Sequence, residues 1–317
     1  MAAFEPEITV LMPAYNAGKF IAEAIASVLA QTFRNFELLI INDGSTDNTL
    51  AVIKSFVDRR IVVINQSNGG VANALNIGLK YARADYIARF DADDICYPSR
   101  LQVQYDFAKQ NPEYDIFGSA ADYVDVNGEY VFNYQPPGFT NDELHNLNYT
   151  LCPFVHSTVF YKKELIVNAG GYDSYAIGFE DHLLWRRLFS QYKVMNTCQS
   201  LIKVRLNPES VTLDEKWYSK RYLKLKYAVL QKGDITASEA NVLHQLASQQ
   251  KNHKLKHGAY YALLAKKFLW NNHNPDKARL NLLALMKIDR LNYNGYLLFL
   301  LSFLPGNFLL KLYQTLK

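Results

Sequence analysis

Cysteine is scarce in this 317-residue chain. Cys96, Cys152 and Cys198 are odd in number and share no metal-ligand spacing. That argues against a disulfide framework or a zinc cluster and fits free thiols in a reducing compartment. The first residues, MAAFEPEITV, lack a basic stretch followed by an apolar core. No secretory signal is therefore expected, and the chain is expected in the cytoplasm. Long apolar runs are missing too. The most apolar stretch, YLLFLLSFL, is interrupted at Pro305-Gly306-Asn307, well short of the ~20 residues a spanning helix needs. It suits lying on a membrane rather than crossing one. Nor does the first apolar run lead into Gly-x-Gly-x-x-Gly. It leads into PAYNAGKF, a turn not built to wrap a bare pyrophosphate.

What is present is ample apolar material, 49% of residues, enough for one large domain and a smaller one. The net charge of +4 hides an asymmetry: residues 1–206 carry 17 Lys/Arg against 23 Asp/Glu, and residues 207–317 carry 17 against 7. An acidic first part and a basic tail read as two modules with different partners. The expected division is 1–210 and 211–317, with the chain helical from about Trp217 onward.

From Ile8 onward, short apolar runs (ITVLMPAYN, FELLIINDG, IVVINQ, YIARFDADD) alternate with segments of helical period (KFIAEAIASVLAQ, NTLAVIKSFV, VANALNIGLKYA). This alternation predicts right-handed βαβ units, hence an α/β fold with a mostly parallel sheet covered on both faces. Each run ends in polar or small residues, so several strands deliver polar groups to the carboxyl edge where open α/β sheets bind ligands. Further on, IFGSAADYVDVNGEYVFNY predicts strands around an Asn-Gly turn, FVHSTVFYKKELI a strand running into a helix, and GFEDHLLWRRLFS a helix with two acids in its first turn.

The stretch ARFDADD sets three carboxylates within four residues at a strand end, where mutual repulsion must be compensated. Two readings stay open. A hard divalent cation, Mg²⁺ or Mn²⁺, would be held by Asp91 and Asp93 and shared with substrate phosphates. Alternatively the acids form a solvated turn, with Asp94 capping a helix that begins near Pro98.

Seven blocks in order, VLMPAYNAGKFIAEAIASVLAQT, LLIINDGSTDNT, NGGVANALNIGL, YIARFDADD, PSRLQVQ, GGYD and GFEDHLLWRRL, resemble the family 2 glycosyltransferases of the GT-A fold over roughly residues 8–206. The resemblance implies a Rossmann-like catalytic domain followed by a helical C-terminal region outside the family pattern. It implies that Pro13, Tyr15, Asn16 and Asp43 line a nucleoside pocket, with Asp43 accepting from uracil. Asn68 and Asn76 fall near the nucleotide and donor sugar, and the Asp91-Ala92-Asp93 turn meets the diphosphate through a metal whose direct ligand is Asp93. Many relatives carry Arg where this chain has Leu75, so that basic contact is missing or comes from Arg89 or Arg100. Asp181 matches the catalytic base.

Inverting transfer needs a carboxylate to take the proton of an acceptor hydroxyl while charge on the leaving diphosphate is stabilised. Asp181 and the Asp91/Asp93 site would divide these tasks, although a first-turn helix acid is the plainer reading of Asp181. Glu180 orients sugar hydroxyls or caps the helix. His156 meets diphosphate, metal or acceptor, or is a strand-edge histidine. Trp185, one turn past Asp181, touches the site or is core. The expected activity is transfer of a hexose or N-acetylhexosamine from a UDP-sugar to a glycan, lipid-linked acceptors included, in cell-surface polysaccharide synthesis. A metal-dependent nucleotidyltransferase and a non-catalytic nucleotide-sugar-binding or membrane scaffold are the rivals. The basic, apolar tail suits peripheral contact with the inner face of the cell membrane, or packing against the catalytic domain or a second subunit. No motif supports nucleic-acid binding.

Overall fold

The computed structural model describes residues 5–147, 149–208, 219–249, 253–305 and 308–309. In chain order the elements are β1 (Ile8–Ala14), α1 (Ile21–Leu29), β2 (Phe36–Asp43), α2 (Thr49–Lys54), β3 (Ile61–Gln66), α3 (Val71–Tyr81), β4 (Tyr86–Arg89), β5 (Ile95–Cys96), α4 (Arg100–Gln110), β6 (Ile116–Val124) and β7 (Tyr130–Tyr134). Then come α5 (Asn141–Leu147), a 3-10 turn (His156–Thr158), β8 (Phe160–Lys162), α6 (Lys163–Asn168), α7 (Glu180–Leu188) and β9 (Val194–Arg205). The helices α8 (Lys220–Lys232), α9 (Ala237–Gln249), α10 (His253–Trp270), α11 (Pro275–Ile288) and α12 (Tyr293–Leu301) follow.

The nine strands form one sheet in the order β3-β2-β1-β4-β8-β6-β9-β5, with β7 also paired to β6. β1 runs parallel to β2 and β4, and β2 parallel to β3. From β4 onward the sheet turns antiparallel: β8 pairs with β4 and β6 that way, and β5 with β9. The first half is thus the βαβ pattern of the sequence, and the second half pairs antiparallel strands that are far apart in the chain, apart from the β6–β7 hairpin. β1 and β2 are buried along their whole length, as their unbroken apolar runs require of central parallel strands. β3, at the edge, is only partly buried. One core face gathers Leu11, Leu39, Leu75, Ile87, Tyr161 and Trp185.

The Asn-Gly turn is present: Asp125 Oδ1 accepts from the Asn127 N–H at 2.8 Å, and Gly128 takes φ 82°. Asp94 does not cap α4, which starts at Arg100 behind Ser99.

Two compact units do not follow a single cut at residue 210, a boundary that lies with Trp217 outside the described residues. The first comprises Met1–Ala121, Tyr134–Val204 and Lys226–Ala240. Its helical piece is anchored where Arg187 Nε donates to the Gly233 carbonyl at 3.1 Å and Lys226 sits over the Phe179 ring. The second comprises Asp122–Asn133, Arg205–Leu225 and Asn241–Lys317. There Asn272 Nδ2 donates to the carbonyls of Tyr130 and Val131, both at 3.1 Å. The hairpin tip thus belongs with the late helices.

Candidate active site

The carboxyl edge of the parallel strands carries the first cluster. Pro13 lies in β1 opposite Ile41, and the chain leaves the strand through Tyr15, half exposed, and Asn16, at φ 49°. The Asn16 side chain accepts from the Thr46 N–H at 2.8 Å, and the Asn16 backbone N–H donates to Ser45 Oγ at 3.0 Å. These bonds tie the loop after β1 to the loop after β2. Asp43 ends β2 and is 3% exposed. Its Oδ1 accepts from Gln66 Nε2 at 2.6 Å and the Gly69 N–H at 2.8 Å, its Oδ2 from the Gly70 N–H at 2.9 Å. Gly44 must be glycine: at φ 68° a Cβ would stand 2.6 Å from the Asn68 backbone nitrogen. Asn68 itself is exposed beside this cradle.

Asn76 does not present its amide to a ligand. Its Nδ2 donates to the Tyr172 carbonyl and its Oδ1 accepts from the Tyr172 N–H, each at 2.8 Å. Leu75 is fully buried in the core, so a basic side chain at that position has no counterpart here.

At the end of β4 the acidic turn finds two compensating partners. Arg89, its side chain 4% exposed, pairs through Nη1 with Asp91, whose side chain is 35% exposed. Asp94, buried, accepts from Ser157 Oγ at 2.5 Å and so locks the turn to the 3-10 segment. Asp93 is partly exposed on the same turn, and Ala92 between the acids is buried. Arg100, expected among the sugar contacts, is instead sealed in the core: Nη2 donates to the Arg89 carbonyl at 2.6 Å and Nε to Gln104 Oε1 at 3.0 Å. It shapes the turn from behind. Asp91, through the oxygen not paired with Arg89, and Asp93 offer hard oxygens on one partly exposed turn, which fits a Mg²⁺- or Mn²⁺-type ion completed by substrate phosphates. It does not fit a closed cage, for among the described residues no three His, Cys, Asp or Glu side chains gather as a metal site.

The second cluster surrounds the start of α7. Glu180 is nearly buried, and its Oε2 accepts from the Gly178 N–H at 3.0 Å. Burial, then the neighbouring Asp181 charge, push its carboxyl up to about 7. The Asp181 side chain is 21% exposed. Its Oδ1 accepts from the His182 N–H at 2.7 Å, and its Oδ2 lies 3.7 Å from the Cys152 thiol and 3.9 Å from His156 Nδ1. Burial and then the Arg89 charge hold His156 well below the usual histidine range, so its ring is neutral. Burial raises the Cys152 thiol well above its ordinary value, so it stays protonated, its single proton shared between the Phe154 carbonyl at 3.5 Å and Asp181 Oδ2. Trp185 is fully buried, its ring edge-on to Phe154 and His156, and it backs the site without reaching it.

Arg89 links the clusters, its charge acting on Asp91, Tyr172, His156 and Glu180. Sequence reasoning brought Asp181, Glu180 and His156 together but missed Cys152, Ser157, Tyr161 and Tyr172. Only the GGYD block carried a signal for one of them, Tyr172.

Comparison with known proteins identifies the family and the fold. EpsE of Bacillus subtilis (strain 168), named as a glycosyltransferase, is 33% identical over 211 residues, covering 63% of this chain and 73% of its own length. An uncharacterised glycosyltransferase of Haemophilus influenzae is 30% identical over 231 residues, covering 70% of this chain and 85% of its own. The crystal structure of S. aureus TarS residues 1–349 with UDP-GlcNAc shares the fold at TM-score 0.55 and 16% identity, covering 98% of this chain and 92% of that one. The mannosyltransferase PcManGT of Pyrobaculum calidifontis, solved with GDP-Man and Mn²⁺, does so at 0.55 and 16%, covering 98% and 87%. The fold is therefore GT-A with C-terminal helices. Residues 9–168 match the family described as Glycosyl transferase family 2, and the chain belongs to that family.

Proposed function

We propose that the chain is a divalent-metal-dependent, inverting glycosyltransferase that moves a hexose or N-acetylhexosamine from a UDP-sugar to a glycan acceptor, lipid-linked acceptors included, in bacterial cell-surface polysaccharide synthesis. The observation that carries this reading is the set of carboxylates in one family 2 catalytic unit: the Asp43 cradle, the Asp91/Asp93 turn and the Glu180-Asp181 pair beside neutral His156. The TarS complex with UDP-GlcNAc supports UDP as the nucleotide.

In this reading Tyr15, Asn16, Asn68 and Asp43 line the nucleoside pocket, and Asp43 accepts from the imide N–H of the base. Asp93 and Asp91 would hold Mn²⁺ or Mg²⁺, whose contribution is to neutralise charge on the departing diphosphate. Asp181 takes the proton of the attacking hydroxyl. Glu180, its carboxyl raised to about 7 and so partly protonated near neutral pH, hydrogen-bonds a sugar hydroxyl and leaves that proton to Asp181.

The second unit is read as a peripheral membrane contact. Leu291, Tyr293, Leu297, Leu300 and Phe303 expose 58–80% of their surface on and just beyond α12. Basic residues dominate the stretch 207–317, with 17 Lys/Arg against 7 Asp/Glu, all of it in this unit except Lys226–Ala240. Apolar and aromatic side chains beside positive charge suit an anionic leaflet. Among the described residues no helix is long and apolar enough to cross a membrane.

The test is calorimetric titration of UDP into metal-free protein with and without Mn²⁺, repeated on Asp93→Ala. Metal-enhanced binding that the variant loses is expected, and UDP-sugars then release UDP when acceptor is added. Binding indifferent to metal and to the substitution overturns the metal site. Pyrophosphate released from a nucleoside triphosphate would turn the assignment to nucleotidyl transfer.

A further inference from the structure

Behind Asp181 lies a line of buried polar groups that the transfer reaction does not itself require. Tyr161, on β8, is fully buried, Tyr172 is 2% exposed, and the His156 side chain is 11% exposed. The Tyr161 and Tyr172 hydroxyls are 3.3 Å apart, Tyr172 Oη is 3.1 Å from His156 Nε2, and His156 Nδ1 faces Asp181 Oδ2 at 3.9 Å. Burial raises both phenols, Tyr161 to about 12 and Tyr172 well above its usual value, so each keeps one proton. The neutral imidazole also has one N–H to give.

These counts leave one favourable assignment of donors. A carboxylate oxygen only accepts, so the imidazole proton belongs on Nδ1, where it points at Asp181. Nε2 is then a lone pair and accepts from Tyr172, which in turn accepts from Tyr161. The reverse assignment aims the Nδ1 lone pair at the carboxylate oxygen, an arrangement with no hydrogen bond and net repulsion. We infer that Tyr161, Tyr172 and His156 form a directed hydrogen-bond chain that fixes His156 as the Nδ1–H tautomer and makes it a positioning donor to Asp181 Oδ2. This deepens the proposed role of Asp181 and, in its catalytic consequence, rests on it. The 3.9 Å gap closes to a hydrogen bond when acceptor fills the site, as catalytic contacts commonly tighten on substrate binding. The chain holds one lobe of the carboxylate, the His182 N–H holds the other oxygen, and a lone pair remains for the incoming hydroxyl.

The tautomer is read directly by nitrogen-15 NMR of histidine-labelled full-length protein, with the His156 signals identified by their loss in His156→Asn. Wild type is expected to show Nδ1 protonated and Nε2 bare, and Tyr172→Phe to mix or invert the two. An Nε2–H tautomer in wild type, or a spectrum that Tyr172→Phe leaves unchanged, overturns the inference whatever the protein transfers. Should Tyr172→Phe fail to fold, Tyr161→Phe breaks the same chain one link back and is judged by the same spectrum. In turnover, Tyr172→Phe is expected to lower kcat about tenfold with donor KM unchanged. His156→Ala is expected to do so more strongly, and His156→Asn, which keeps a nitrogen donor near the Nδ1 position, to recover part of the loss. Equal losses in Ala and Asn variants exclude the donor role. UDP binding by calorimetry stays unchanged in all of these variants if the glycosyltransferase reading holds, so failure of that reading and failure of the chain are told apart.

Discussion

The two ends of the candidate site are built from different materials. At the Asp43 end the carboxylate meets two backbone N–H groups and one amide, all supplied by the short stretch from Gln66 to Gly70. At the Asp181 end a single backbone N–H, that of His182, is joined by side chains: a thiol from residue 152, an imidazole from 156 and a carboxyl from 180. Backbone donors fixed by glycine turns make a rigid holder whose charge state changes little. Buried side chains make a chemically adjustable holder, because desolvation moves each of their protonation equilibria. The division suits a nucleotide anchor at one end and proton chemistry at the other.

The strongest way to break this comparison is Asp181→Asn. Transfer is expected to fall about a thousand-fold, within the range general-base catalysis contributes, while UDP affinity stays within about twofold. A comparable loss of UDP binding would show that the two ends are one binding surface.

Next in size, Asp43→Ala removes the acceptor from two backbone donors and an amide. The donors are only part-buried and water can reach them, so each lost hydrogen bond is worth about 0.5–1.5 kcal/mol and urea unfolding is expected to show about 1–3 kcal/mol lost, together with weakened UDP binding. An unchanged midpoint would mean that water replaces the carboxylate and the cradle is not rigid.

The adjustable end is sharpened by pH. Glu180 has a folded value near 7, against an ordinary 4.5. The folded state therefore binds the proton more tightly than the unfolded chain, and stability falls as pH rises from about 4.5 through 7. That contribution reaches about 2–3 kcal/mol. Glu180→Gln is expected to flatten this part of the stability profile, and denaturation at pH 5 and pH 8 checks it. Persistence of the slope in the variant would assign it to another group.

The smallest effect serves as the control. Leu297 and Leu300 are 58% and 68% exposed on α12. Converting both to Ser is expected to change stability by less than about 0.5 kcal/mol per site and to leave transfer to a water-soluble acceptor intact, while reducing flotation with anionic vesicles. Unchanged flotation would remove the membrane contact.

Much of this arrangement was legible in the chain itself. The parallel half of the sheet follows from apolar runs alternating with helical periods, because burial on both faces requires them. The hairpin at Gly128 follows from Asn-Gly, since few other pairs accept a positive φ there. Periodicity places Glu180 and Asp181 in the first turn of a helix, and only the family resemblance gives Asp181 the role of a base. Asn76 and Arg100 were misjudged for a common reason. A polar side chain on a helix reads the same whether its partner is a ligand or a distant backbone group, and for Asn76 that partner is Tyr172, 96 residues away. Cys152 shared the difficulty: nothing near it in sequence announces a carboxylate 29 residues on. The division into units was equally hidden, because a contiguous cut cannot express a hairpin tip that packs with helices after residue 241.

By itself the sequence determined the order of strands and helices, the placing of carboxylates at strand and helix ends, and the family. Periodicity and turn chemistry act over a few residues, so local reading suffices for them. Only the tertiary structure decided which polar groups meet. It gave Arg89 to Asp91, Ser157 to Asp94, and His156 and Cys152 to Asp181. Hydrogen bonds and desolvation depend on distance in space, and the chain brings those distances about only when it folds.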